Sequence, residues 1–351
     1  MVAIAVDAMG GDNAPSVEVA GAVAALRESE SLRVVLVGDK DRLQSELAAC
    51  HASEDDRLSL RHASEVVSMK DNPSKVFRQK PDSSMRVATD LVVDGSCAGM
   101  VSAGNSGAVL GHCLFLMKRM PGVERPGIVQ VFPTPTGTVT MCDLGANVAV
   151  TPIMLAQFGI FGAAYTRVLN GTKNPRIAVL SNGTEESKGT ELTRAASEIL
   201  ARAAKDPEAD FAFLGYVEGS GLFDGYVDVV ATDGFTGNVV LKTAEGVSEA
   251  LMSMIKTALT SSARAKLGAL LAKPALMDFK KSIHYSEYGG AMLLGINGLA
   301  TIAHGRSDAR AICNAILLTE RFAEKHLLAQ LSQDIDRHQE LWKTARAKES
   351  A

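Results

Sequence analysis

The stretch that most narrows the folds open to this chain stands at its start. An apolar run, Val2-Ala3-Ile4-Ala5-Val6, ends in Asp7-Ala8-Met9-Gly10-Gly11-Asp12-Asn13-Ala14-Pro15. The run has the length and composition of a buried strand. Ser16-Val17-Glu18-Val19-Ala20-Gly21-Ala22-Val23-Ala24-Ala25-Leu26 follows and reads as a helix. Strand, small-residue turn and helix therefore succeed one another at once. Gly10 and Gly11 leave backbone N–H groups unshielded where a helix begins, which suits either an anion or a tight connection with no ligand.

The pattern recurs. Gly99-Met100-Val101 runs into Ser102-Ala103-Gly104-Asn105-Ser106-Gly107, and Thr138–Cys142 into Asp143-Leu144-Gly145-Ala146-Asn147. Ile177–Leu180 runs into Ser181-Asn182-Gly183-Thr184-Glu185-Glu186-Ser187-Lys188-Gly189, and Val227–Val230 leads to Thr232-Asp233-Gly234-Phe235-Thr236-Gly237-Asn238. In an open parallel sheet such turns lie at the carboxyl ends of the strands, where ligands bind. The expectation is an α/β fold, a Rossmann-like and mostly parallel sheet flanked by helices, with five turns along one edge forming one site.

The rest of the chain fits that class. Helices are expected over 14–29, 40–50, 106–118 and 189–204, and strands over Leu32–Val37, Leu58–Leu60, 98–101, 177–180, 211–214 and 226–230. Asn72-Pro73 starts a short helix, and Ser83 or Ser84 caps one running to Val93. Ile128–Phe132 and Thr138–Cys142 flank Pro133-Thr134-Pro135-Thr136-Gly137, an antiparallel hairpin, and Thr151-Pro152 opens a long helix to about Leu169. The remainder reads as mostly helical. The expected organisation is one α/β domain over residues 1–330, in one body or two lobes, and a helical tail over 331–351.

Composition removes several functions. Net charge is −4 and aromatics are 5%, so neither a basic field nor stacking surfaces point to nucleic acid. Cys50, Cys97, Cys113, Cys142 and Cys313 are scattered without a Cys-x-x-Cys, which suits reduced thiols of a cytoplasmic protein. The first residues read as a strand, not a secretory signal. No apolar run reaches a membrane span; 289–303 comes nearest and is interrupted by Gly295, Asn297 and Gly298. No strand is followed by Gly-x-Gly-x-x-Gly, and in Gly183-Thr-Glu-Glu-Ser-Lys188-Gly189-Thr190 the Lys precedes the Gly, unlike a nucleotide P-loop. No His/Cys/Asp cluster has metal-ligand spacing; Asp143, Asp228 and Asp233 read as turn caps. An NAD-dependent decarboxylating dehydrogenase would need both a nucleotide site and a metal carboxylate cluster.

Asp7–Pro15, Ser102–Ala108, Asp143–Asn147, Asn182–Gly189, Asp228–Lys242, Tyr288–Gly298 and His304-Gly305-Arg306-Ser307 come in the order of a known bacterial family. Through these blocks the chain resembles the phosphate acyltransferases of phospholipid synthesis. The resemblance implies a fold similar to phosphate acetyltransferase and the isopropylmalate dehydrogenases. It implies the reaction of long-chain acyl-[acyl carrier protein] with inorganic phosphate to give acyl phosphate and free acyl carrier protein. A homodimer, no cofactor, and a downstream glycerol-3-phosphate acyltransferase that consumes the product are also implied. The chemistry suits the residues: phosphate is its own nucleophile and a thiolate leaves readily, so the site needs a dianion nest, alignment and oxyanion donors rather than a triad.

On that reading Asp7, Gly10, Gly11, Gly104, Asn105 and Ser106 form the phosphate cradle. Lys188 is the best candidate cation. Asn182, Asn238 and Lys242 either donate to phosphate or oxyanion or cap locally. Arg306 shares a glycine-flanked turn with His304, which either protonates the departing thiol or makes a structural backbone bond. Lys188, Asn105, Asn238 and His304 are the catalytic candidates.

Residues 246–283 form a second informative region. Leu251, Met252, Met254, Ile255, Leu259, Leu267, Leu270 and Leu271 recur at near-helical spacing beside Lys256, Arg264, Lys266, Lys273, Lys280 and Lys281. With breaks at Ser261-Ser262 and Lys273-Pro274, the reading is a protruding amphipathic helical hairpin. It serves as a dimer interface, a peripheral contact with anionic lipid at the inner face of the cell membrane, or a dock for the acidic carrier protein.

Overall fold

The computed structural model describes residues 1–52, 55–283 and 289–349, without the side chains of 278, 280–283, 348 and 349. Tyr288 and the side chains of Lys280 and Lys281 lie outside the described residues.

The first half alternates as expected. β1 (Val2–Asp7) pairs in parallel with β2 (Leu32–Gly38), and α1 (Ser16–Glu28) crosses between them. α2 (Lys40–Ala49) leads to β3 (Leu58–His62), parallel to β2. α3 (Pro73–Gln79) and α4 (Ser84–Val93) precede β4 (Gly99–Ser102), which lies on the other side of β1 and feeds α5 (Ser106–Leu116). Asp39, Asn72, Ser83 and Asn105 cap the helices they precede, each accepting first-turn N–H groups.

β5 (Gly127–Thr134) and β6 (Gly137–Cys142) form the antiparallel hairpin. α6 (Pro152–Asn170), β7 (Arg176–Leu180), α7 (Glu191–Ala203), β8 (Ala212–Val217) and β9 (Val229–Ala231) follow, and β6, β9, β7 and β8 run parallel. α6 is covered nearly all round, with Phe158, Phe161 and Tyr165 fully buried, as befits a helix apolar on every side.

Beyond this point the chain departs from the helical expectation. Residues 291–302 hold β10 (Ala291–Leu294) and β11 (Leu299–Ile302), an antiparallel pair at the centre of the sheet. The full order is β3-β2-β1-β4-β11-β10-β5-β6-β9-β7-β8. Met292, Leu293, Leu294 and Ala300 are fully buried. A strand covered on both faces carries no alternation, so its sequence cannot be told from a buried helix.

This central hairpin also reverses the sheet. β11 is parallel to β4, β10 is antiparallel to both β11 and β5, and β5 is antiparallel to β6. The carboxyl ends of β1, β4 and β11 therefore open on one edge, and those of β6, β9 and β7 on the opposite edge. The expected single row of five turns is two rows, separated by the length of the four-residue central strands, about 13 Å.

α8 (Gly234–Thr260) is capped by Asp233 and runs for 27 residues, about 40 Å, from the second edge past the first. α9 (Ala263–Leu271) and α10 (Lys273–Ile283) continue it. The protruding element is thus three helices, and its first arm begins at Gly234 rather than Gly246. Leu251, Met254, Leu267, Leu270, Leu271, Met277 and Phe279 are exposed on it, while Ile255 and Leu259 are half-buried. No helix among the described residues is long and apolar enough to cross a membrane.

α11 (Ala309–Glu324), α12 (Leu327–Arg337) and α13 (Gln339–Glu349) complete the chain. They are packed into the molecule: Trp342 is 1% exposed, and its Nε1 donates to the Ile335 carbonyl at 2.9 Å.

Candidate active site

On the first edge the Asp7–Pro15 and Ser102–Gly107 turns lie against each other. A Cβ on Gly10 would stand 2.9 Å from the Gly104 nitrogen. Asp7 is 1% exposed and does not face a ligand. Its Oδ2 accepts from Ser102 Oγ at 2.7 Å, its Oδ1 from the Met9 N–H at 3.4 Å, and Ser84 bonds it as well. The Gly104 N–H donates to Ser102 Oγ at 3.1 Å. Asp7 therefore braces both turns from beneath instead of touching phosphate. Burial raises its pKa against the pull of these donors.

Asn105 is also committed. Its Oδ1 accepts from the Ala108 N–H, and its Nδ2 donates to the Met69 and Asp71 carbonyls at 3.2 and 3.3 Å. It caps α5 and fastens the 69–71 loop beside it. What it exposes is the start of α5: the N–H groups of Ser106 and Gly107 are first-turn donors that a helix leaves without intrahelical acceptors. Ser106 adds an exposed hydroxyl there. The 69–71 loop, held by the Lys80–Asp71 ion pair at 2.6 Å, belongs to this edge and was not legible in sequence, because its role rests on contacts with distant turns.

His304 and Arg306 follow β11 onto the same edge. The Asp12 N–H donates to the Gly305 carbonyl at 2.8 Å, tying this turn to the first one. The Arg306 N–H donates to His304 Nδ1 at 3.2 Å, so the ring proton sits on Nε2. Burial, with Lys242 nearby, lowers the His304 pKa. His304 is thus a neutral Nε2–H donor near pH 7. The structural backbone bond is therefore made, and the lowered pKa disfavours proton release from an imidazolium.

The second edge gathers the other candidates. Asp143 collects the Asp143–Asn147 turn: its oxygens accept from the N–H groups of Ile128, Gly145, Ala146 and Asn147 and from Asn147 Nδ2. α8 begins directly on this turn; a Cβ on Gly237 would stand 1.9 Å from the Asp143 carbonyl oxygen, so only glycine allows the approach. Asn238 lies exposed over Gly145. Asn182 Oδ1 accepts from the Gly189 N–H at 2.9 Å and closes the Ser181–Gly189 turn. The Lys188 stem packs over Gly183, and Lys188 is exposed and enters no ion pair among the described residues.

α8 links the edges. Asn238 stands on its second turn at the second edge, and Lys242 one turn further acts electrostatically on His304 at the first. Lys242 also pairs with Glu245 at 2.8 Å, and Arg306 with Glu249 at 3.8 Å. Among the described residues no group of three His, Cys, Asp or Glu could hold a metal ion.

A family model described as "Fatty acid synthesis protein" matches residues 2–330. The phosphate acyltransferase of Geotalea uraniireducens is 48% identical over 339 residues, covering 97% of this chain and 96% of its own. The chain belongs to the phosphate acyltransferase family. The family member of Geobacter sulfurreducens is likewise 48% identical over 333 residues, 95% of this chain and 94% of its own. The fold extends beyond the family. EutD phosphotransacetylase from Staphylococcus aureus superposes with a TM-score of 0.62 at 16% identity, over 92% of this chain and 94% of that one. A phosphotransacetylase from Streptococcus pyogenes gives 0.62 at 17%, over 92% and 94%.

Proposed function

We propose that the chain transfers a long-chain acyl group from acyl carrier protein to inorganic phosphate. The observation that carries this reading is the anion-ready first edge in a member of this family: the α5 N-terminus, the Gly10–Gly11 turn and the Nε2–H of His304, with Arg306 and Lys242 beside them. A phosphate oxygen attacks the thioester carbonyl, a C–O bond forms and the C–S bond breaks. The proton of the monohydrogen phosphate passes to the thiolate sulfur, so the step balances without an oxidant, a reductant or a strong base. Backbone N–H groups and neutral donors stabilise the tetrahedral oxyanion. Asn238, one turn of α8 before Lys242, acts from the second edge with Lys188 and Asn182, and the Lys188 side chain reaches into the gap of about 13 Å as the phosphate or oxyanion cation. The product is a mixed anhydride, fit to be consumed by an acyltransferase such as one acting on glycerol 3-phosphate.

The protein works as a homodimer and as a peripheral protein at the inner face of the cell membrane. Exposed apolar and basic side chains on α8, α9 and α10, among them Leu251, Lys256, Arg264 and Lys266, support contact with anionic lipid or the acidic carrier protein.

The test is direct. The protein is incubated with long-chain acyl-[acyl carrier protein], with and without inorganic phosphate, and free carrier thiol and hydroxylamine-trapped acyl phosphate are measured. Thiol release is expected to require phosphate and to proceed without NAD or ATP. Equal release in phosphate-free buffer means that the protein is a thioesterase instead.

A further inference from the structure

Two buried carboxyl groups lie where the first turn's glycines would otherwise begin side chains. A Cβ on Gly10 would stand 2.7 Å from Asp7 Oδ2, and one on Gly11 would stand 2.2 Å from Glu18 Oε1. Glu18 is on the first turn of α1 and is 2% exposed. Pro15, at the N-cap, offers no side-chain acceptor, and Glu18 fills that role by accepting from its own N–H and that of Gly11. Its Oε2 has no hydrogen-bond partner among the described residues.

Among the described residues no permanent cation balances the pair. Burial raises the Asp7 pKa and buried His112 on α5 pulls it back, but burial lowers the His112 pKa too and favours its neutral form. Asp12, beside Gly11, adds only a further, exposed carboxyl group. Asp7, on β1, is the charged group that acts on Glu18. On the neighbouring elements the charged groups are engaged elsewhere. Arg42 on α2 donates to the Ala14 carbonyl, and Asp39 caps that helix. Arg310 on α11 pairs with Glu28 at the far end of α1, and Asp308 caps α11. Arg306 pairs with Glu249 on α8. Two neighbouring carboxyls in a low-dielectric interior do not both ionise readily; the second proton leaves only at raised pH, and the protons belong to the pair. Burial, with the Asp7 charge, pushes Glu18 up to about 7.

We propose that the Asp7–Glu18 pair beneath the Gly10–Gly11 turn is a proton-coupled gate for anions: a dianion settling on the turn draws a proton from solvent onto the pair. The proposal rests on the reading that this turn holds phosphate. A dianion above an ionised Glu18 meets a second negative charge through the two glycines, whereas a protonated Glu18 presents none. Affinity for a non-titrating dianion therefore falls as Glu18 ionises, and substrate phosphate is held best by the protonated pair. Glu18 is a positioning residue here, acting through the turn.

Isothermal titration calorimetry at pH 7, in buffers of different ionisation enthalpy, measures the protons taken up per anion. Sulfate is the decisive probe, because it does not titrate near neutrality; inorganic phosphate is run beside it. The wild-type protein is expected to take up a substantial fraction of one proton per sulfate. E18Q, which keeps the acceptor oxygen for the Gly11 N–H, is expected to bind sulfate with little or no uptake and a flatter pH profile. A carbon-13 titration of the wild-type Glu18 carboxyl is expected to move to higher pH when sulfate is added, and it stands independently of whether E18Q folds. Sulfate binding without proton uptake, equal uptake in E18Q, or an unmoved Glu18 titration overturns the coupling while leaving the phosphate site in place. Absence of binding by either anion overturns the phosphate reading of the turn together with the coupling.

Discussion

Asp143 shows how one side chain can organise an edge of the sheet. It is fully buried, and both its oxygens accept only from N–H donors, at 2.7 to 3.2 Å. Burial raises its pKa, and the donors pull it back. Asp143→Asn sets an NH2 group against N–H groups that require an acceptor. It is expected to lower stability by about 1–3 kcal/mol, the usual cost of buried donors left unmatched, read by urea denaturation. An unchanged midpoint would mean that the turn holds itself together. Lys188 is the opposite case, exposed and outside any ion pair among the described residues. Lys188→Ala is expected to fold normally and to lose about two orders of magnitude in turnover, as for loss of a transition-state donor. Unaltered phosphate kinetics would remove Lys188 from the site. The sequence pointed to both positions through their turns, but not to the buried roles of Asp7 and Asn105. A carboxylate or amide in a glycine turn looks the same whether it faces a ligand or the protein beneath.

The three-helix arm is the element most open to test. Leu267, Leu270 and Leu271 are 60%, 65% and 77% exposed, which makes the end of α9 the place to test for lipid contact. Leu259, by contrast, is half-buried, and a charge there would disturb the arm itself. If Lys256, Arg264, Lys266 and Lys273 meet anionic headgroups, each contributes on the order of 1 kcal/mol near the surface, fading within a Debye length. Binding to anionic vesicles is therefore expected to weaken with salt. Leu271→Glu is expected to leave the protein in the supernatant of a vesicle sedimentation assay while turnover of short, soluble acyl substrates continues. Wild-type protein that ignores anionic vesicles at low salt would assign the arm to carrier protein or a second subunit. The sequence showed the amphipathic spacing and both breaks; it did not show that the first arm grows from the Asp143 turn, because Gly237 makes that approach only in three dimensions.

For the whole molecule, α8 leaves Phe235, Val239, Val247, Leu251 and Met254 exposed along its length. So extended an apolar face is expected to serve as an interface. Sedimentation is expected to give a dimer, and Val247→Glu is expected to shift the protein toward monomer. A wild-type monomer at micromolar concentration would reassign this face.

The sequence alone determined the class of the fold, most of its helices and strands, a few of their caps and the family. These depend on period, turn chemistry and residues close together in the chain. The path of the sheet was decided only in the tertiary structure. Ala291–Leu294 and Leu299–Ile302 are short runs buried on both faces, so no alternation marks them as strands, yet β10 enters antiparallel between β11 and β5 and turns the second half of the sheet over. That reversal divides the candidate residues between two edges and leaves α8 to join them. It could not be read from the turns, because strand direction is set by which strands pair, and that is settled by contacts between residues far apart in sequence.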